Sequence, residues 1–180
     1  MSRLIFHTNS GSIKSSMGSG ILPVAKHQNK LYFLFGEECH IALDKGWSDF
    51  GGRVEDKESM FDGAIREGYE ETSGFLGNHQ ELNDLVRSNF IAVIQSDNFH
   101  SFLFQIKYDL NLSKYYNRNF EFVSKNLKKI IGQDGYYEKS KIRWFTLNEL
   151  QDEIHLFRNF YKPFIKTIVN NYDSINKNVR

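Results

Sequence analysis

Residues Gly51–Gly74 read GGRVEDKESMFDGAIREGYEETSG. From Ser59 to Thr72 the pattern predicts a helix. Ser59 is a cap residue, and Asp62 stands three positions on, as in a capping box. Phe61, Ala64 and Ile65 give an apolar face, with Arg66, Glu67, Glu70 and Glu71 elsewhere. Ser73-Gly74 supplies an ordinary helix stop. Glu67, Glu70 and Glu71 are spaced i, i+3 and i+4, so their side chains leave the helix on one side. Glu67 and Glu71 repel each other by roughly 0.2–0.5 kcal/mol even when exposed. Asp62 and Glu58 add negative charge, and Arg66 cannot neutralise them all. A run of this kind is most often a solvated helix face. The Gly51-Gly52 pair before it argues for more. It lets the backbone turn sharply and brings a carbonyl close to a bound group. Carboxylates plus a backbone carbonyl are hard oxygen donors, suited to Mg²⁺ or Mn²⁺. Mg²⁺ is commonly shared between a few carboxylates and substrate phosphates. The stretch therefore points to a divalent-metal site that handles phosphate esters or anhydrides.

On either side of it the chain alternates short apolar runs with polar turns. Ile21–Ala25 and Leu31–Phe35, separated by His27–Lys30, predict a hairpin. Phe90–Gln95 and Phe102–Tyr108 predict two more strands around Ser96–Ser101. Phe120–Ile131 predicts a second helix carrying Lys125, Lys128 and Lys129. Ile142–Leu147 predicts a late strand, and a final helix opens at Leu147–Leu150 and runs to about residue 171. Residues 8–20 (TNSGSIKSSMGSG) are rich in Ser and Gly and read as a flexible loop or lead-in. Regular βαβ alternation is absent, so an α+β arrangement, a mixed sheet with helices packed on its faces, is expected.

The length, 180 residues, fits a single domain over 1–180, with 1–19 as a flexible lead-in. The balance of 23 basic against 22 acidic residues excludes a strongly basic nucleic-acid coat and an acidic tail. A lone cysteine, Cys39, excludes an internal disulfide framework and a multi-cysteine zinc site. The six histidines show no ligand spacing. No apolar run approaches the ~18 residues needed to cross a bilayer, and Met1–His7 lacks a signal-peptide core. An intracellular, cytoplasmic setting without membrane association is expected.

The central stretch resembles the Nudix hydrolase signature. Gly52 is followed by five residues and Glu58, then seven more lead to Arg66-Glu67-Gly68-Tyr69-Glu70-Glu71. The spacing of every charged member is kept, and the signature is long and specific. The flanks are similar too: Gly20–Val24, Trp47, Ile142–Phe145 and Leu147–Leu150. Three positions depart from the pattern. Gly68 stands where an apolar residue is usual, at a cost of about 1 kcal/mol inside a helix. Ser73 stands where the final Gly is usual, and Phe50 replaces a proline. The resemblance implies an α/β/α sandwich and a metal-dependent hydrolase of a nucleoside diphosphate linked to another moiety. It implies that Glu67, Glu70 and Glu71, with the carbonyl of Gly51 or Gly52, hold Mg²⁺ or Mn²⁺. Glu58 and Arg66 would be supporting, Arg66 fixing the loop against the helix. The catalytic base would be a motif glutamate, Glu67 or Glu71, or one from a later loop, for which Glu138 is the candidate.

Other readings stand beside this one. Trp47, Phe50, Tyr136 and Tyr137 can stack on a nucleobase or pack as core and rim. Lys125, Lys128 and Lys129 can meet phosphates or RNA, or simply be solvated. Decapping of an RNA 5′ end would need a basic track beside the site. A catalytically silent nucleotide-binding domain is the alternative outside enzymes. The substrate itself is not written in the motif, since specificity lies in loops outside it.

Overall fold

The computed structural model describes residues 4–9 and 16–180. Eight strands form one mixed sheet: β1 Leu4–His7, β2 Gly18–His27, β3 Lys30–Glu38, β4 Trp47–Ser48, β5 Phe50–Arg53, β6 Phe90–Gln95, β7 Phe99–Gln105 and β8 Lys139–Phe145. The order is β1-β6-β7-β2-β3-β4, with β5 also on β2 and β8 on β3. Pairs β1/β6 and β2/β7 are parallel and the others antiparallel. The helices are α1 Met60–Glu71, α2 His79–Ser88, α3 Leu110–Asn126, α4 Leu147–Asp152, α5 Lys162–Asn170 and α6 Tyr172–Asn178.

Strand β2 shows why helices cover both faces. Its side chains alternate between the two sides of the sheet. Ile21 and Ala25 join Ala64, Ile65, Leu82, Val86 and Tyr116 beneath α1–α3. Leu22 and Val24 join Phe33, Phe35, Phe164, Ile165 and Ile168 on the opposite face, beneath α5. The architecture is an α/β/α sandwich around a mixed sheet. Gln28 and Asn29 both take positive φ, 48° and 60°, the geometry that matches a two-residue hairpin to strand twist. No helix among the described residues is long and apolar enough to cross a membrane.

Several boundaries differ from the sequence reading. Leu4–His7 is a strand paired parallel to β6, not lead-in. Gly18-Ser19-Gly20 opens β2 rather than ending a loop. Small residues are needed there because neighbouring backbone comes close: a Cβ on Gly20 would lie 2.8 Å from the Phe50 carbonyl oxygen. The Ser-rich reading at 10–15 falls outside the described residues. Helix α2 was not expected, although Asn78 and Glu81 form its capping box. Helix α3 begins at Leu110, capped by Asp109, and ends at Asn126, leaving Lys128 and Lys129 in an exposed 3-10 turn. Strand β7 begins at Phe99, and β8 begins at Lys139. The long final helix is broken into α4, a 3-10 turn, α5 and α6. Pro163 in the first turn of α5 explains the new start.

Candidate active site and metal centre

Helix α1 carries the acidic constellation. Ser59 caps it by accepting from the Asp62 N–H at 3.1 Å. The helix sits close against β2 and β5 because its inner face holds Gly63, Ala64 and Gly68. A Cβ on Gly68 would collide with the Cγ1 and Cδ1 atoms of Ile21. Gly68 is therefore a close-contact position, not an open helix interior, which explains the departure from an apolar residue. At the helix end Ser73 and Gly74 both take positive φ. This terminates α1 as the sequence indicated.

Arg66 organises the outer part of the site. Its Nε and Nη2 donate to the two oxygens of Glu58, each at 3.1 Å. Nη1 donates to Glu67 at 2.9 Å and Glu70 at 3.2 Å, and Nη2 also reaches the Arg53 carbonyl at 2.8 Å. One guanidinium thus ties α1 to the loop after β5 and is shared by three carboxylates. Gly52 leaves room for Glu67, whose Oε2 lies 2.5 Å from where a Cβ would be. The loop before β8 closes the other side: a Cβ on Gly135 would lie 2.8 Å from Glu70 Oε2.

Glu71 faces inward. It is 3 % exposed. Its Oε2 accepts from the Gly51 N–H at 2.6 Å, and its Oε1 lies 3.3 Å from Lys139 Nζ. Lys139 Nζ also donates to Glu38 Oε1 and, at 3.0 Å, to Ser48 Oγ. Arg158 reaches the same Glu38 oxygen at 2.6 Å. Glu71 thus stands at the inner edge of the cluster, between the Gly51 N–H and the Lys139 ammonium.

Burial dominates the electrostatics of the cluster. Burial pushes the Glu67 carboxyl up to about 7, with Glu70 and Glu138 adding to the rise against Arg66. Glu70 is raised by burial and by Glu55 and Glu58, against the pull of Arg66. Burial raises Glu138, and Glu38 and Glu70 push it further, against Lys139. Glu71 is raised by burial despite Lys139. Glu58 is lowered: its bonds to Arg66 and the Glu55 N–H outweigh burial. Among the described residues no three His, Cys, Asp or Glu side chains converge as a ready cage. The carboxylates are instead turned to Arg66, Lys139 and backbone N–H groups. The donor set nevertheless fits a hard divalent ion: crowded carboxylate oxygens, three of them sharing one guanidinium, beside a Gly-Gly turn.

Two expected contact residues are elsewhere. Phe50 is fully buried among Ile21, Ile65 and Phe104, and Trp47 is buried against Phe145. The Phe50 ring is closed to a ligand, while Trp47 borders a separate surface pocket with Tyr32, Tyr108 and Trp144. Tyr136 packs edge-on against Tyr69, and Lys125, Lys128 and Lys129 are exposed. The residues missed in the sequence are Arg53, Phe99, Arg158 and Phe160. They line a cavity of about 150 Å³ with Met17, beside Gly51 and Gly52. Arg53 also borders the cleft that holds Arg66 and Glu67, so it stands between cavity and carboxylates. No motif carries these residues, because the cavity is assembled from four separate loops and strands.

Comparison with solved structures gives the same architecture. A Nudix hydrolase from M. smegmatis, RenU, superposes with a TM-score of 0.54 at 10% identity, over 94% of this chain and 96% of that one. The fold is that of the Nudix hydrolases. The bifunctional NMN adenylyltransferase/ADP ribose pyrophosphatase from Francisella tularensis also matches, with a TM-score of 0.54 at 13% identity, over 87% of this chain and 41% of that one. The same protein complexed with AMP and a Mn ion matches with a TM-score of 0.52 at 11% identity, over 89% of this chain and 43% of that one. In sequence, an uncharacterised protein of Acanthamoeba polyphaga mimivirus is 32% identical over 142 residues, 76% of this chain. The match spans 42% of that protein's length. No family model matches the chain. On the Nudix fold, then, α1 and the Gly51-Gly52 turn form the acidic centre, and the Met17–Phe99–Phe160 cavity lies next to it.

Proposed function

We propose that this chain is a metal-dependent Nudix hydrolase that cleaves the diphosphate linkage of a nucleoside diphosphate joined to another moiety. The observation that carries the reading is the Arg66 hub. It holds Glu58, Glu67 and Glu70 against the Gly51–Arg53 turn with one guanidinium for three carboxylates. Glu67, Glu70 and Glu71, with the carbonyl of Gly51 or Gly52, would hold Mg²⁺ or Mn²⁺. When bound, the ion neutralises charge on the bridging and leaving oxygens and lowers the pKa of water. Arg66 bonds both Glu67 and Glu70 and would hold them beside the Gly51–Arg53 turn. Glu138, raised by burial and its acidic neighbours, takes a proton from the attacking water. The water oxygen bonds to phosphorus as the bridging P–O bond breaks.

The neighbouring cavity suits the part of the substrate that is not hydrolysed. Phe99, Phe160 and Met17 offer apolar surface for a planar base, and Arg53 sits where phosphate would pass toward Glu67. That the Francisella protein of this fold is complexed with AMP and a Mn ion supports a nucleotide substrate. The test is turnover of nucleoside diphosphate derivatives, dinucleoside polyphosphates, diphosphoinositols and capped RNA, with Mg²⁺, with Mn²⁺ and with EDTA. Release of a phosphorylated product with either ion, abolished by EDTA, is expected. Binding without cleavage of any of them would point to a silent domain, and full activity in excess EDTA would sink the metal-dependent reading.

A further inference from the structure

Helix α3 has two faces, and the fold uses one of them. Tyr116 and Val123 are its buried side. Tyr115, Arg118, Phe122 and Lys125 follow one another at helical spacing, so they share a stripe on the outer side, with Lys114 one turn before Arg118. Both rings are open: Tyr115 is 59 % exposed and Phe122 58 %. Lys114, Arg118 and Lys125 are exposed beside them, and Lys128 and Lys129 prolong the row into the 3-10 turn that follows.

The charge on this face is unbalanced. Residues 110–130 hold five basic side chains and one acidic, Glu121, on a chain whose formal net charge is +1. Elsewhere cations are paired: Arg66, Lys139, Arg143 and Arg158 each meet a carboxylate. Among the described residues, none of the five on this row has a carboxylate within ion-pair distance. The row is therefore a strip of uncompensated positive charge with flat apolar rings set into it. Its complement is a ligand with repeated negative charge and flat faces. A single nucleic-acid strand has both, a phosphate at each step and unpaired bases that stack on aromatic rings. A lipid surface fits less well. The apolar side of α3 is already in the core, and two rings set among charges leave no separate apolar face to enter a membrane.

The dimensions agree. From Lys114 to Lys125 the helix rises about 17 Å, room for about five phosphates at ~3.4 Å each. Tyr115 and Phe122 stand about 10 Å apart along the axis. The row also leads toward the acidic centre. The loop after Lys129 contains Gly135, where a Cβ would lie 2.8 Å from Glu70 Oε2.

We propose that the outer face of α3 and the turn after it bind single-stranded nucleic acid. Tyr115 and Phe122 stack on bases, and the five basic side chains meet phosphates. The inference stands apart from the reading of the acidic centre, because it concerns binding and not turnover.

The experiment is fluorescence anisotropy of the full chain with a labelled single-stranded RNA of mixed sequence, about ten nucleotides long. It is run over a range of salt, with EDTA present so that the acidic centre takes no part. The wild type is expected to bind, with log K falling on log salt at a slope of about −3, from up to five phosphate contacts at about 0.7 each. Tyr115→Ala and Phe122→Ala, both at exposed positions, should each weaken binding about tenfold with the slope unchanged. Lys125→Ala, Lys128→Ala and Lys129→Ala together should flatten the slope by about 2. Circular dichroism checks that each variant folds. No binding at low salt would overturn the inference. So would a loss confined to the lysine variant while both ring variants bind like the wild type, since that is a general polyanion contact. Binding to phosphatidylserine vesicles in place of RNA would overturn it as well. None of these outcomes touches the hydrolase reading, whose test is turnover with Mg²⁺ or Mn²⁺.

Discussion

Replacing Gly68 with Leu tests how α1 is seated, and with it the geometry of the site. In an open helix interior the change would gain about 1 kcal/mol of helix propensity. Here the new Cβ would fall on Ile21 Cγ1 and Cδ1, and both Gly68 and Ile21 are buried. Overpacking of this kind costs roughly 1–3 kcal/mol, occasionally more. Leu brings three further carbons into the same seam, so the upper part of that range applies and the net loss is about 2 kcal/mol. For a chain of this size that is a fall of roughly 4–8 °C in Tm. Urea denaturation with an unchanged m-value is the assay. Ile21→Ala supplies the control. Alone it should cost about 2–5 kcal/mol through the cavity it leaves. Combined with Gly68→Leu it should cost at least about 1 kcal/mol less than the sum, because the leucine fills that cavity. Displacing α1 should also stretch the 2.6 Å bond from the Gly51 N–H to Glu71 and lower turnover well below the unfolding temperature. A Gly68→Leu protein as stable as the wild type, or strict additivity with Ile21→Ala, would refute the close seating of α1 on β2.

Lys57 holds a φ of 71° between β5 and α1, a region that costs a side-chain-bearing residue roughly 1–2 kcal/mol. Lys57→Gly should raise stability by up to about 1 kcal/mol, measured by the same denaturation; a clear loss would show that the lysine side chain outweighs the strain. Asp49 is buried and pushed up to about 7 by burial, against the bond from Ser101 Oγ at 2.5 Å. Its folded form keeps a proton that the unfolded chain loses near pH 4, so its contribution is full below that pH and falls away as pH rises to about 7. Asp49→Asn should therefore flatten the decline in stability between pH 4 and 8, by on the order of 4 kcal/mol at most; parallel pH profiles for the two proteins would count against it. Glu67→Gln should cut turnover by orders of magnitude with the fold intact by circular dichroism. Lys128→Ala should leave turnover of a small nucleotide unchanged, and should weaken binding with a smaller salt dependence only if the substrate is RNA.

Helix α1, its cap and its stop are written locally, and so are the hairpin of β2 and β3 and the spacing of Glu58, Arg66, Glu67, Glu70 and Glu71. Helical periodicity and turn chemistry act over a few residues, so no distant contact is needed to see them. The direction in which Glu71 points is a different matter. It depends on a backbone N–H from β5 and an ammonium from β8, which only the folded sheet brings to the end of α1. The same holds for Trp47 and Phe50, aromatic residues beside a functional turn that the packing of α1 and α5 draws into the core. Leu4–His7 became a strand only because β6 offered an edge to pair with. Arg53, Phe99, Arg158 and Phe160 form a cavity only after four distant segments meet. Residue type and spacing thus singled out the groups proposed to carry the chemistry. Which of them face the substrate, and which are spent on one another inside the protein, was decided by tertiary packing, because burial and pairing of charge depend on neighbours far away in the chain.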